Sequence, residues 1–279
     1  MRPLILTTVA MLAFAANSIL CRLALGGELI DAASFTTIRL CGGAASLTLI
    51  VALRESTLKY QTIDMKAAFA LFVYAICFSF AYVDLNAGTG ALILFGCVQL
   101  TMILFGLFHG ERPSALTWTG IIMAFSGLVY LVSPGVSAPS LKGAILMAVA
   151  GIAWGVYSLR GKATVTPILS TAWNFIATVP VTLIASLLFL GSVDITLPGV
   201  LLALTSGAIA SGLGYVVWYS ALPYLMPTSA ATVQLSVPII AAIGGVIFIT
   251  EPLSFRLIIS SLVTLGGIAL VIKSKKQNR

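Results

Sequence analysis

Charge is what this sequence has least of. Only 8% of its 279 residues are Asp, Glu, Lys or Arg, against roughly a quarter in soluble domains. That scarcity excludes a disordered tail and a conventional soluble enzyme. Histidine is nearly absent too: His109 alone rules out a Ser-His-Asp triad within the apolar runs, and a multi-His metal site, by count. The four cysteines, Cys21, Cys41, Cys77 and Cys97, sit inside apolar runs without metal-ligand spacing, so no metal site and no disulfide framework is expected. No GxxxxGK[ST] loop occurs, and Gly88-Thr89-Gly90 reads as a turn. Neither a cofactor nor an ATPase partner is expected.

Apolar mass is what the chain does have, at 59% of residues and a mean hydropathy of +1.11. The formal charge of +7 points to no nucleic acid, because the 15 Lys and Arg lie between apolar runs and form no patch. Ten continuously apolar spans follow, at about 4–25, 34–53, 66–85, 88–108, 114–132, 141–161, 168–190, 198–219, 226–248 and 254–273. They lack the alternation of barrel strands. The third and fourth are divided at Asn86-Ala87-Gly88-Thr89-Gly90, a turn composition. The opening run continues through Asn17 to about Leu25, so it reads as an uncleaved first helix.

With the amino terminus in the cytoplasm, eleven cations fall on that side and four, Arg22, Arg39, Lys142 and Arg256, on the other. The positive-inside rule then puts both termini in the cytoplasm of a cell (inner) membrane protein. Lys273-Ser274-Lys275-Lys276 reads as a stop at the membrane surface.

A shift of 140 residues reveals a repeat. It lays Phe14 over Trp154, Asn17 over Tyr157, Arg22 over Lys162, Gly110-Glu111-Arg112-Pro113-Ser114 over Thr250-Glu251-Pro252-Leu253-Ser254, and Gly127 over Gly267. The expected domains are residues 1–133 and 134–279, each with five spans. An odd number of crossings inverts the second copy. Two inverted five-helix repeats in a membrane can rock around a midplane site, which is the geometry of alternating access.

These residues resemble the ten-helix drug and metabolite transporter superfamily, in its EamA-type branch. Phe14-Ala15-Ala16-Asn17-Ser18 followed by Arg22 is similar to that family's first-helix pattern, with Phe14 where Trp is usual. The run Tyr215-Val216-Val217-Trp218-Tyr219-Ser220-Ala221-Leu222, then Ala230-Ala231, Leu235, Pro238 and Glu251-Pro252-Leu253, resembles its second half. The fourth span has Val98-Gln99-Leu100 where the ninth has Val237-Pro238-Ile239. Within the superfamily the resemblance implies an exporter of amino acids and related metabolites, closest to bacterial exporters of aromatic amino acids.

All eight acidic residues, Glu28, Asp31, Glu55, Asp64, Asp84, Glu111, Asp194 and Glu251, fall at span ends. Without a mid-membrane carboxylate, passive uniport or exchange is expected over proton coupling, with Asp84 or Glu111 the alternative route for protons. The substrate contacts expected within the spans are Asn17, Tyr82, Phe95, Gln99, Trp154, Tyr157, Tyr215, Gln234 and Ser236. Amide side chains both donate and accept, which suits a zwitterion. Rings suit an apolar or aromatic side chain and attract an ammonium. Each polar residue has a second reading as helix-to-helix glue. Asn17 and Tyr157 are expected to face each other across the pseudo-two-fold axis. Pro180 and Pro238 are candidate hinges, because each removes an amide donor inside a span.

Trp118 and Tyr130 read as interface-belt residues, and the Gly106/Gly110 and Gly151/Gly155 spacings as packing inside the bundle. Arg22 and Arg39 are expected to snorkel outward, neutralised by Glu28 or Asp31, or to form an anion-attracting mouth. The reading is an all-α integral membrane carrier of a small-molecule substrate, in contact with the bilayer and monomeric. A sugar-phosphate or nucleotide-sugar exchanger and a non-transporting scaffold or receptor are the alternatives.

Overall fold

A computed structural model gives the fold of residues 2–55, 62–110, 113–161, 166–225 and 227–277. Hydrocarbon offers no hydrogen bonds, so a spanning backbone must satisfy its own amides, and helices do this within one segment. The described residues accordingly form ten helices that are long and apolar enough to cross a bilayer. They are α1 (Arg2–Gly26), α2 (Ala32–Glu55), α3 (Met65–Asp84), α4 (Ala87–Phe108), α5 (Ala115–Val132), α6 (Leu141–Gly161) and α7 (Pro167–Leu187). Three more follow: α8 over Leu197–Tyr224, α9 in two pieces, Pro227–Gln234 and Ser236–Ile249, and α10 (Phe255–Gln277). Phe69, Ile122, Phe125, Ile184, Phe248 and Leu262 stand exposed around the bundle, a surface suited to lipid. Trp118 and Tyr130 are exposed near opposite ends of α5, where an interface belt places them.

The joint between α3 and α4 is tighter than the sequence suggests. Only Leu85 and Asn86 connect them, and Gly88-Thr89-Gly90 is already helical, not a turn. Those glycines serve close approach: a β-carbon on Gly88 would meet the Ala242 backbone at 2.8 Å, and one on Gly90 would meet the Tyr82 ring. The Gly151/Gly155 face of α6 likewise packs within the bundle, onto the Leu94 and Val98 carbonyls of α4.

Local chemistry repeats along with the sequence. Ser114 caps α5 by accepting from the Thr117 amide, and its counterpart Ser254 accepts from the Leu257 amide at the start of α10. Gly110 and Thr250, also counterparts, both have left-handed backbone, with φ of 91° and 57°. Gly127 and Gly267 face across the α5–α10 seam, Gly127 toward Thr264 and Gly267 toward the Ala124 amide.

Two spans of the second half are irregular where the first half is regular. In α8 the segment Thr205–Leu213 is π-helical, a form that often marks functional sites. Its Gly207 lies so close to α2 that any β-carbon would collide with the Arg39 carbonyl oxygen. In α9 the break at Leu235 falls just before Pro238, which has no amide to donate to Gln234. Pro180 sits inside an unbroken α7.

Because Gly207 and Gly151 abut backbone atoms that cannot rotate away, adding a single methyl should cost about 1–3 kcal/mol. Gly207→Ala and Gly151→Ala are expected to lower the thermal midpoint of the detergent-solubilised protein. Gly266→Ala, whose β-carbon meets open space, should leave that midpoint within error.

Candidate functional site

Between α1, α3, α4, α6 and α8 lies a narrow cavity of about 20 Å³, enough for about one water-sized group. Ring faces dominate its lining: Phe14, Tyr74, Phe78, Phe95, Trp154 and Tyr215. Trp154 is the hub. It stacks on Tyr215 at 5.1 Å and lies 4.8 Å from the Tyr74 ring. Phe14, its repeat counterpart, packs against Tyr215 at 5.9 Å and edge-on to Trp218 at 6.1 Å. The first helix of each half therefore places one ring against rings on the third helix of the other half.

Polar groups enter this box from α1, α3 and α8. Asn17 accepts a 2.6 Å hydrogen bond from Ser206 in the π-helical segment and donates at 3.5 Å to the Tyr74 hydroxyl. Ser18 and Ser211 also line the cavity, and neither hydroxyl has a hydrogen-bond partner. Behind Tyr74 sits Arg39, only 2% exposed. It donates to the Tyr74 oxygen at 3.0 Å and lies 4.7 Å above the Phe78 ring. The expectation that Arg39 snorkels outward fails, because α2 packs against α8 at that level and the side chain turns into the bundle.

Side chains tie the helices together at both ends. At one end Arg22 pairs with Glu251 at 3.0 Å and also donates to the Tyr82 and Val83 carbonyls. Glu251 in turn accepts from the Ala87 amide at the start of α4. The partner of Arg22 is therefore Glu251, across the bundle, and neither Glu28 nor Asp31. Asp31 caps α2 instead, accepting from the Ala33 and Ser34 amides. Beside this latch opens a vestibule of about 380 Å³. Glu28, Asp31, Asp84 and Asp194 line it with Lys142, so this mouth is acidic and not the anion-attracting one expected from the arginines. At the opposite end Arg160 grips Asp64 through two hydrogen bonds of 2.7 and 2.9 Å.

Of the nine expected contacts, Asn17, Phe95, Trp154 and Tyr215 line the cavity. Tyr82 is buried, but its hydroxyl donates to the Ala87 carbonyl. Tyr157 does not face Asn17: it donates to Thr171 of α7, because α6 lays its glycine face on α4 and turns Trp154 inward. Gln99 is buried on α4, one turn beyond Phe95 and outside the lining. Gln234 and Ser236 flank the break in α9, also outside the lining, and Ser236 donates back to the Val233 carbonyl.

The sequence reading missed Tyr74, Phe78, Ser18 and Ser211, and placed Arg39 at the outer mouth instead of inside the bundle. Two signals pointed to them. Tyr74, Phe78 and Tyr82, each four residues from the next, form an aromatic stripe along α3, and Arg39 lies seven residues inside its helix, about 10 Å at 1.5 Å per residue.

A duplicated ten-helix bundle around a narrow, ring-lined centre is the build of a membrane carrier. The chain belongs to the EamA-like transporter family, whose model matches residues 1–133 and again 141–273. It is 49% identical over 271 residues to an uncharacterized protein of Pseudomonas aeruginosa, covering 97% of this chain and 94% of that one. It is 25% identical over 250 residues to an uncharacterized transporter of Archaeoglobus fulgidus, covering 83% and 86%. A solved crystal structure shares the fold, with a TM-score of 0.65 and 18% identity over 94% of this chain and 95% of the other.

Asp64, which caps α3 just outside its span, carries a pH signature. Partial burial raises the Asp64 carboxyl pKa, but the Arg160 hydrogen bonds and the α3 amides outweigh it and hold the carboxyl below its ordinary value. A depressed pKa makes the contribution complete at neutral pH and removes it as pH falls below about 4. Asp64→Asn is therefore expected to lower the melting temperature at pH 7 by the equivalent of about 0.2–1 kcal/mol, the range for an exposed pair. The gap from the parent should narrow on acidification, as followed by fluorescence melting.

Proposed function

We propose that the protein exports small neutral or zwitterionic metabolites, foremost amino acids with apolar or aromatic side chains, by alternating access between its two inverted halves. The observation that carries this reading is the cavity itself, where six rings surround Asn17 and two unpartnered serine hydroxyls. Rings accept an apolar side chain, and the amide and hydroxyls accept or donate to a polar head group. At about 20 Å³, against roughly 300 Å³ for the smallest common ligand sites, the cavity admits such a solute only when helices part.

The Arg22–Glu251 latch gives that motion a place to start. The shift of 140 residues carries Arg22 to Lys162 and Glu251 to Glu111, both outside the described residues. Both termini lie in the cytoplasm of a bacterial-type inner membrane, Glu251 faces outward, and the monomer is the working unit. No acidic residue among those described lines the cavity, which favours uniport or exchange over proton coupling. A phosphorylated sugar is disfavoured, because its site would gather several cations and the cavity lining holds none.

Counterflow of labelled L-phenylalanine and L-leucine into proteoliposomes tests the proposal, with and without an imposed pH gradient. The expected result is saturable flux that needs no gradient, cut at least tenfold by Trp154→Ala and little changed by Gln234→Ala. Inhibition by phosphorylated sugars in place of amino acids would favour the exchanger. Absence of flux for every solute would leave a scaffold.

A further inference from the structure

Arg39 is a buried charge whose chemistry the proposed function does not use. A guanidinium in hydrocarbon is expensive, by about 2.5–3.5 kcal/mol or more, and such charges ordinarily pair with a carboxylate. Arg39 is 2% exposed and, among the described residues, in no ion pair. Its surroundings are Tyr74, Phe78, Cys21 and Tyr215, with no acid. One of its terminal nitrogens, Nη1, has no hydrogen-bond partner at all. Ring faces at 4.7 and 5.3 Å relieve part of the cost, but they cannot neutralise the charge.

The way from this charge to the cavity is a single hydroxyl. The Tyr74 oxygen accepts from Arg39 at 3.0 Å and from Asn17 at 3.5 Å. With its lone pairs engaged by these two donors, the hydroxyl has only its own proton to give, toward the neighbouring Tyr215 or a solute that replaces it. Tyr74 lines the cavity, as do Ser18 and Ser211 with their unpartnered hydroxyls. Three hydroxyl donors backed by an uncompensated positive charge make a subsite for one anionic group.

We infer that Arg39 and Tyr74 form an anion-recognition subsite, and that the solute this carrier accepts presents a single carboxylate to the Tyr74 hydroxyl while its apolar portion lies among the rings. The inference rests on the transport reading for its occupant and narrows it: decarboxylated amines and amides of the same shape are rejected. Arg39 acts as a positioning residue through Tyr74, supplying the charge that makes the subsite selective.

The test compares probes of one shape: 3-phenylpropionate, L-phenylalanine, phenylalaninamide and phenethylamine, with inorganic phosphate and chloride as free anions. Affinity is read by ligand-induced thermal shift of the full-length detergent-solubilised protein. Tyr74→Phe keeps the ring and removes only the hydroxyl, and it is read beside Arg39→Lys and Arg39→Gln. The parent is expected to bind both carboxylates at least tenfold more tightly than the amide or amine. Tyr74→Phe should erase that preference while leaving the unliganded midpoint within a few degrees, and Arg39→Lys should retain part of it.

Equal affinity for all four organic probes in the parent, or an unchanged carboxylate preference in Tyr74→Phe, would overturn the subsite. Stabilisation by phosphate or chloride equal to that by 3-phenylpropionate would assign it to a free anion and overturn the organic acid. Should Arg39→Gln fail to fold, Tyr74→Phe alone still decides. Tyr74-dependent binding of 3-phenylpropionate in a protein that moves no phenylalanine would uphold the subsite and refute the transport reading instead.

Discussion

The structure depends on close approach of helix backbones in a solvent that supplies no hydrophobic drive between helices. Where lipid is as apolar as leucine, association must come from van der Waals contact and a few polar links. Here the contacts are concentrated at glycines whose missing β-carbons admit a neighbouring carbonyl: Gly151 at Leu94, Gly207 at Arg39, Gly267 at Gly120. The first two fix the position of side chains that matter to the cavity. Gly151 sits three residues before Trp154, and Gly207 follows Ser206, which holds Asn17 in place. The polar centre is thus positioned by a packing constraint outside it.

That ordering explains which parts of the molecule were legible in the sequence. The ten spans followed from run length alone, because a helix that must cross about 30 Å of hydrocarbon announces itself in composition. The repeat was legible because Ser114 and Ser254, or Gly127 and Gly267, answer to the same local requirement in each half, a cap or a close approach. Phe14 and Trp154 came with it. What could not be read was rotation about the helix axes. Tyr157 is the counterpart of Asn17, yet a ring hydroxyl one turn from the glycine face is carried toward Thr171. Gln99 and Phe95 stand one turn apart on α4, and only Phe95 reaches the cavity. Polarity within a span identifies candidates, but the neighbour that a helix leans on selects among them.

Arg39 shows the same limit from the other side. Arginine near a span end ordinarily reaches water, and a stem of its length can do so from about 10 Å. The sequence does not tell that the π-helical segment of α8 lies flush on α2 at this level, sealing that route. The departure of α8 from α-helical pitch has no counterpart in α3, so the two halves share a scaffold and differ at the site. Such asymmetry suits the proposed solute, whose one polar head and one apolar body have no two-fold symmetry to match.

The two latches differ in a way that bears on how the bundle moves. Arg22 and Glu251 are largely shielded, and each holds additional backbone partners, so breaking the pair strands several donors and acceptors at once. Arg160 and Asp64 are about a third exposed, and water can replace either partner at little cost. An end closed by the first arrangement opens reluctantly; an end closed by the second opens readily. By that comparison the Glu251 end is the more firmly closed of the two. In the proposed transport cycle a solute that engages Asn17 acts on α1 itself, five residues from Arg22, where a small rotation of that helix disturbs the stronger latch. Coupling between occupancy and opening requires no route through the protein beyond one and a half turns of α1.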